Sequence, residues 1–278
     1  MIELPFDPRL ALGPLMLTWH AIFGLLGVLA GAALGIRLVL ARISFDDAWA
    51  VAIGGVLGGL LGSRLFFVVE HLSFFLAHPE RALAVGDGGE SIVGGIVGGL
   101  AGGLLVMRAR RLPVAWVVDR AVVGLPLGMA IGRLGDIVNG EHWATACGGL
   151  PWCVRYTHPA SLGQREYVHP AVAYELLLDL AIVGVLLAFL QLPRVRATVS
   201  RATDDGASAR DGFVPLLFLG LYGAGRLALS AVRLDPLWIA GLTQAQLVSA
   251  LFVAVALAGI ARLRRAESEE SHRFPVPW

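Results

Sequence analysis

The chain has 278 residues, 56% of them hydrophobic and only 15% charged, with a formal net charge of +1 and a mean hydropathy of +0.72. Soluble domains carry about a quarter charged residues, so this composition excludes an ordinary soluble domain and points to an all-α, multi-span membrane protein. The balanced charge gives no sign of a nucleic-acid partner.

A bilayer core of about 30 Å requires roughly 20 apolar residues per helix. Runs of that kind predict seven spans, near 15–39, 48–69, 91–107, 114–132, 171–191, 213–232 and 244–261. The opening "MIELPFDPRL" lacks a basic n-region, which predicts that the first apolar run persists as a helix and is not cleaved. Spans two and three carry matched glycines, Gly54, Gly58 and Gly62 against Gly94, Gly98 and Gly102. Such spacing strips a helix face and predicts close backbone packing. "RARRLP" reads as a tight basic turn between spans three and four, and 192–212 as a polar, exposed loop. On this reading 1–278 is a single membrane domain with a small outward-facing head at 140–170 and a tail at 262–278.

Arginine placement predicts the orientation. Arg37 and Arg42, Arg108, Arg110 and Arg111, Arg194, Arg196, Arg201 and Arg210, and then Arg262, Arg264, Arg265 and Arg273 fall on one side. The other side holds a thinner set: Arg9, Arg81, Arg133, Arg155, Arg165 and Arg233. The N-terminus is therefore expected outside and the tail in the cytoplasm. The two cysteines, Cys147 and Cys153, then face outward. They are too few for a zinc site and lack C-x-x-C spacing, while an oxidising compartment allows them to close a loop as a disulfide.

Ionisable groups beside or within spans are functional candidates. Arg64, Asp119, Arg120 and Asp179 each have a structural reading. "GRLGDIVNGEHW", after the fourth apolar run, concentrates Arg133, Asp136, Asn139, Glu141 and His142. Arg226 lies inside the sixth run, where an uncompensated charge costs several kcal/mol, with Tyr222, Gly223 and Gly225 before it. Two arginines plus a carboxylate suit a lipid phosphate, because the guanidinium fork matches phosphate oxygens and keeps its charge. The carboxylate is either a general base or a group that holds the arginines. "HPAVAYELLLDL" opens the fifth span with His169, Pro170, Tyr174 and Glu175. His169 is a titratable candidate at the membrane edge.

These stretches resemble the prolipoprotein diacylglyceryl transferase family. "GRLGDIVNGEHW" is similar to its signature, with Arg133, Gly135, Asn139, Gly140 and Glu141 in place. "LGPLMLTWHAIFGLLG", "GSRLFFVV", "GGESIVGGIVGG", "PWCVRY", "HPAVAYELLLDL", "LYGAGRLALSAVR" and "GLTQAQLVSALFV" follow in family order. The resemblance implies a seven-helix bacterial inner-membrane enzyme. Such an enzyme moves the diacylglyceryl group of phosphatidylglycerol to the lipobox cysteine of a preprolipoprotein, forming a thioether and releasing glycerol phosphate. It implies that Arg133 and Arg226 hold the phosphate and that Glu141 and Asn139 order the site; the catalytic candidates are then Arg133, Glu141 and Arg226, and the substrate-binding candidates Asp136, Asn139, His20, His169 and Tyr222. It calls for no metal and no cofactor.

The chain departs from the family pattern at five positions. His20 stands for Tyr, Val93 for His, Asp136 for Asn, Ala144 for Gly and Ser230 for Glu. Asp136, Glu141 and His20 are the groups left to cover the missing roles. Two other readings stay open at this level. One is a family paralogue that binds anionic lipid or modifies another acceptor. The other is a small-solute transporter, favoured by the glycine-rich helices but lacking a repeated half-chain pattern.

Overall fold

The computed structural model describes residues 1–13, 15–83, 91–191 and 212–273. Nearly all of the loop expected at 192–212, with its four arginines, lies outside the described residues, as does the end of the tail. The helices are α1 (Trp19–Val39), α2 (Phe45–Glu70), α3 (Leu72–Ala77), α4 (Ile92–Ala109), α5 (Val114–Ala121), α6 (Gly124–Asn139), α7 (Ala171–Gln191), α8 (Phe213–Leu229) and α9 (Gln244–Arg273). A 3-10 turn covers Pro79–Leu83. Five stretches are long and apolar enough to cross a membrane: Trp19–Val39, Phe45–Glu70, Val114–Asn139, Ala171–Gln191 and Gln244–Arg265. Two shorter apolar helices, Gly94–Ala109 and Phe213–Leu229, lie at the third and sixth expected spans. The 17 residues of α8 reach roughly 25 Å, less than a full bilayer core. Leu61 (73% exposed) and Leu100 (67%) show why the helices need lipid, since their outer faces are apolar and uncovered.

Two compact units divide the chain: Ile36–Val117, and Met1–Gly35 together with Val118–Trp278. Within the first, α2 and α4 pack antiparallel along the expected glycines, Gly62 beside Gly94, Gly58 beside Gly98 and Gly54 beside Gly102. A Cβ at Gly62 would stand 2.8 Å from the Gly98 Cα, so these helices touch backbone to backbone. Arg64 spends its charge locally, donating from Nε to the Ala82 carbonyl at 2.8 Å and from Nη2 to that of Arg81 at 2.6 Å.

The second unit repeats the device between α1 and α6, where Gly27 meets Gly128 and Gly31 meets Gly124. Asp119 accepts from the backbone N–H of Gly212 (3.0 Å) and Val214 (3.1 Å), fixing the start of α8. The segments outside the helices add short strands. Strand β1 (Ile2–Leu4) pairs in parallel with β4 (Val154–Tyr156), while β2 (Arg9–Leu12) and β3 (Leu15–Thr18) form a hairpin. A second hairpin joins β5 (Leu237–Ile239) to β6 (Leu242–Thr243). Its turn residues Ala240 and Gly241 both have positive φ, 54° and 74°, as a tight right-twisted hairpin demands. Ala144, Val154, Tyr156, Val168 and Ala171 form a small core under β1 and β4, and Cys147 is bonded to Cys153.

Two expected boundaries are corrected. The first span begins at Trp19, because 15–18 belong to β3. The fourth apolar run ends at 132, but α6 continues to Asn139. The charges that interrupt the run are partnered by other elements and so do not stop the helix. Gly140 stops it, with φ 77° and its N–H donated to the Asp136 carbonyl at 2.9 Å.

Candidate active site

The last turns of α6 carry Arg133 and Asp136 on one face, and Arg133 Nη1 donates to Asp136 Oδ2 at 3.0 Å. Helix α7, opened by Pro170, brings Glu175 in after one turn. Arg133 Nη2 lies 2.9 Å from Glu175 Oε2. From α8 comes Arg226, with Nε 3.6 Å from Glu175 Oε1, and the segment after it supplies Arg233, whose Nη1 is 2.6 Å from the same oxygen. Asp235 accepts from both, at 2.9 Å from Arg226 Nη2 and 2.9 Å from Arg233 Nη2. Burial alone would raise the Asp235 pKa, but the hydrogen bonds from Arg233 and Arg226 outweigh it and hold the carboxyl below the usual range.

Three guanidinium groups thus converge on Glu175, and all four side chains are at least four-fifths buried. Two donors in this cluster, Arg133 Nε and Arg226 Nη1, are buried without a hydrogen-bond partner among the described residues. A buried donor left unmade costs about 1–3 kcal/mol, and more on a charged group. These donors are therefore suited to an anion that the cluster can take in. Asp179, one turn beyond Glu175, is also buried, with both oxygens unpartnered.

On the other side of Asp136 stands His20, with Nδ1 2.6 Å from Asp136 Oδ1. Gly135 makes this approach possible, since a Cβ there would fall 2.7 Å from the His20 Cα and 2.8 Å from the Trp19 carbonyl. Glu141 Oε1 lies 3.4 Å from the same ring nitrogen and accepts from Asn139 Nδ2 at 3.0 Å. Glu141 therefore does not pair with Arg133, whose acid partners are Asp136 and Glu175. His142 Nε2 is 3.8 Å from Asp136 Oδ2. Burial first, then the Arg233 charge, lowers the His142 pKa and favours its neutral form.

The remaining candidates sit around this centre. His169 Nδ1 is 3.2 Å from the Tyr174 hydroxyl, which also accepts from Trp152 Nε1 at 2.8 Å. It shares with Glu141, His142, Tyr156 and Gln164 a cleft of about 130 Å³ beside β1 and β4. Tyr222 stacks on Phe218 (5.8 Å) and against Phe252 (6.4 Å), one turn before Arg226. Glu175, Arg233 and Asp235 complete the cluster although their residue types alone did not single them out. Their signals were the spacing of Glu175 and Asp179 within an apolar run, and of Arg226 and Arg233 at two turns.

His20, Asp136 and Glu141 place one potential ligand atom each within 4.8 Å of one another. The Arg133 guanidinium already neutralises Asp136, so a cation there would meet a positive neighbour and the group fits a metal poorly.

A family model described as prolipoprotein diacylglyceryl transferase matches residues 9–262. The phosphatidylglycerol–prolipoprotein diacylglyceryl transferase of Nostoc sp. is similar at 30% identity over 256 residues, covering 91% of this chain and 87% of that protein. Those of Synechococcus elongatus (32% over 261 residues, covering 92% and 86%) and Rhodospirillum centenum (32% over 269, covering 92% of each) are similar along comparable lengths.

Proposed function

The chain belongs to the prolipoprotein diacylglyceryl transferase family, and from that premise we propose that it moves the diacylglyceryl group of phosphatidylglycerol onto the lipobox cysteine thiol of a preprolipoprotein. A thioether forms and glycerol phosphate leaves. The observation that carries this reading is the arginine cluster with its two buried, unpartnered donors. The lipid phosphate lies against Arg133 and Arg226, with Arg233 behind them. As the carbon–oxygen bond breaks, negative charge grows on the departing phosphate. Fixed guanidinium groups in a dry site stabilise that charge without reorganising. Glu175 and Asp235 hold the three forks in place before substrate arrives, and Asn139 and Glu141 order the rim. In this reading Asp136, His169 and Tyr222 line the approach of the substrates.

The several apolar helices and the bacterial relatives make this a multi-pass bacterial membrane protein. The fuller arrangement is part of the proposal: seven spans, with α4 and α8 as the two short ones, the N-terminus outside and the tail in the cytoplasm. Family membership leaves the solute-transporter alternative without support.

The test uses membranes containing the protein, phosphatidylglycerol and a lipobox peptide. Mass spectrometry should find the peptide heavier by one diacylglyceryl unit. Arg226→Lys keeps the charge but loses the fork, and should slow product formation on the order of 10²–10³-fold. A native protein that yields no product across several anionic lipids and lipoboxes sinks the reading.

A further inference from the structure

The arginine cluster accounts for the leaving group but not for the nucleophile, since a thiol must lose its proton before its sulfur attacks carbon. Resting on the transferase reading, we infer that His20 is the base that takes this proton, with Asp136 as the residue that positions it. His20 Nδ1 is 2.6 Å from Asp136 Oδ1, and Asp136 Oδ2 is held by Arg133 at 3.0 Å. A carboxylate oxygen accepts, so the neutral imidazole of His20 donates from Nδ1 to Asp136 and leaves Nε2 with a free lone pair. Nε2 meets no partner among the described residues, and the His20 side chain is 53% exposed beside a carboxylate that is 6% exposed. An accessible imidazole oriented by a buried carboxylate is the arrangement a general base requires.

The placement also suits the reaction. One carboxylate, Asp136, bridges the base on one oxygen and the phosphate-binding arginine on the other. A thiol beside Nε2 is therefore near a lipid whose phosphate rests on Arg133. The groups facing this pair come from four elements: Glu141 and His142 from the loop after α6, Arg133 from α6 itself, Tyr156 from β4, and behind Arg133 the Glu175 carboxylate of α7. In the step, the thiol proton moves to His20 Nε2. The sulfur then bonds to the glyceryl carbon that bears the phosphate ester. That carbon's bond to oxygen breaks, and its electron pair leaves on the glycerol phosphate. The imidazolium afterwards returns its proton to water, and nothing is oxidised or reduced.

The experiment compares the native protein with His20→Ala and His20→Asn in the peptide assay, across pH and with added imidazole. The KM for phosphatidylglycerol is measured alongside. Asn keeps a donor toward Asp136 but offers no base. Both variants should lose on the order of 10²–10⁴-fold in kcat, with the KM for phosphatidylglycerol unchanged and the acid limb of the pH–rate profile gone. Imidazole should restore part of the His20→Ala rate. A His20→Asn protein with native rate and pH profile overturns the assignment, because the hydrogen bond alone would then suffice. So does a slow His20→Ala protein that keeps the native pH profile and ignores imidazole. In both cases an active native protein leaves the transferase reading standing, whereas an inactive native protein removes that reading and this assignment with it.

Discussion

With Arg133, Arg226 and Arg233 all paired to Glu175, removing that one carboxylate leaves three buried cations facing only Asp136 and Asp235. Breaking a buried ion pair from one side destabilises by about 3–5 kcal/mol. Glu175→Gln keeps the shape and loses the charge, so the melting temperature in detergent should fall. Glycerol phosphate would supply the missing negative charge, and should raise the variant's melting temperature more than the native protein's. Equal shifts would mean that phosphate does not enter the cluster. Arg133 and Arg226 drew attention because each interrupts an apolar, glycine-rich stretch. Glu175 and Arg233 did not, because their meaning is a contact across 58 positions of sequence. No local pattern encodes such a pairing, and Asp235 in "RLDP" resembles any loop acid.

At the scale of elements, the four-residue glycine spacing that the sequence shows in α2 and α4 also joins α1 to α6, where Gly27 and Gly31 meet Gly128 and Gly124. The apolar runs all fall on helices, since burying a peptide in lipid leaves the backbone few options. They misplaced the end of α6, because hydropathy stops at a charge while a helix with partnered charges continues. Gly135 and Gly132, one turn apart on that helix, give a sharp contrast. A Cβ at Gly135 collides with the start of α1, whereas one at Gly132 meets nothing within 4 Å. Gly135→Ala should push His20 from Asp136, and a misplacement near 1 Å costs about 10²-fold in rate. Gly132→Ala should retain native activity in the same peptide assay. Strand β4 carries a pH effect of its own. Burial first, then the Asp136 charge, pushes the Tyr156 hydroxyl up to about 12, against about 10 in an unfolded chain. Between those values the unfolded chain has shed a proton that the folded head retains, so stability falls as pH rises. The full loss is roughly 3 kcal/mol. Melting temperatures from pH 9 to 11 should decline in the native protein and less steeply in Tyr156→Phe.

For the molecule as a whole, the proposed orientation and the observed Cys147–Cys153 bond constrain one another. Disulfides persist in oxidising compartments and are rare in the cytosol. The proposed orientation puts the segment bearing this one outside, and with it the site formed by the ends of α6, α7 and α8. Fluorescent protein fused after Arg265 should glow in the cytoplasm, and alkaline phosphatase fused there should be inactive. The protein holds two cysteines in all, so the bond is easily counted. Chain taken from cells and denatured in maleimide should bind none before reduction and two after it. Active phosphatase at the tail would reverse the orientation, placing the disulfide in a reducing compartment. Two labels before reduction would instead remove the disulfide's support for an outward-facing site, whatever the fusions report.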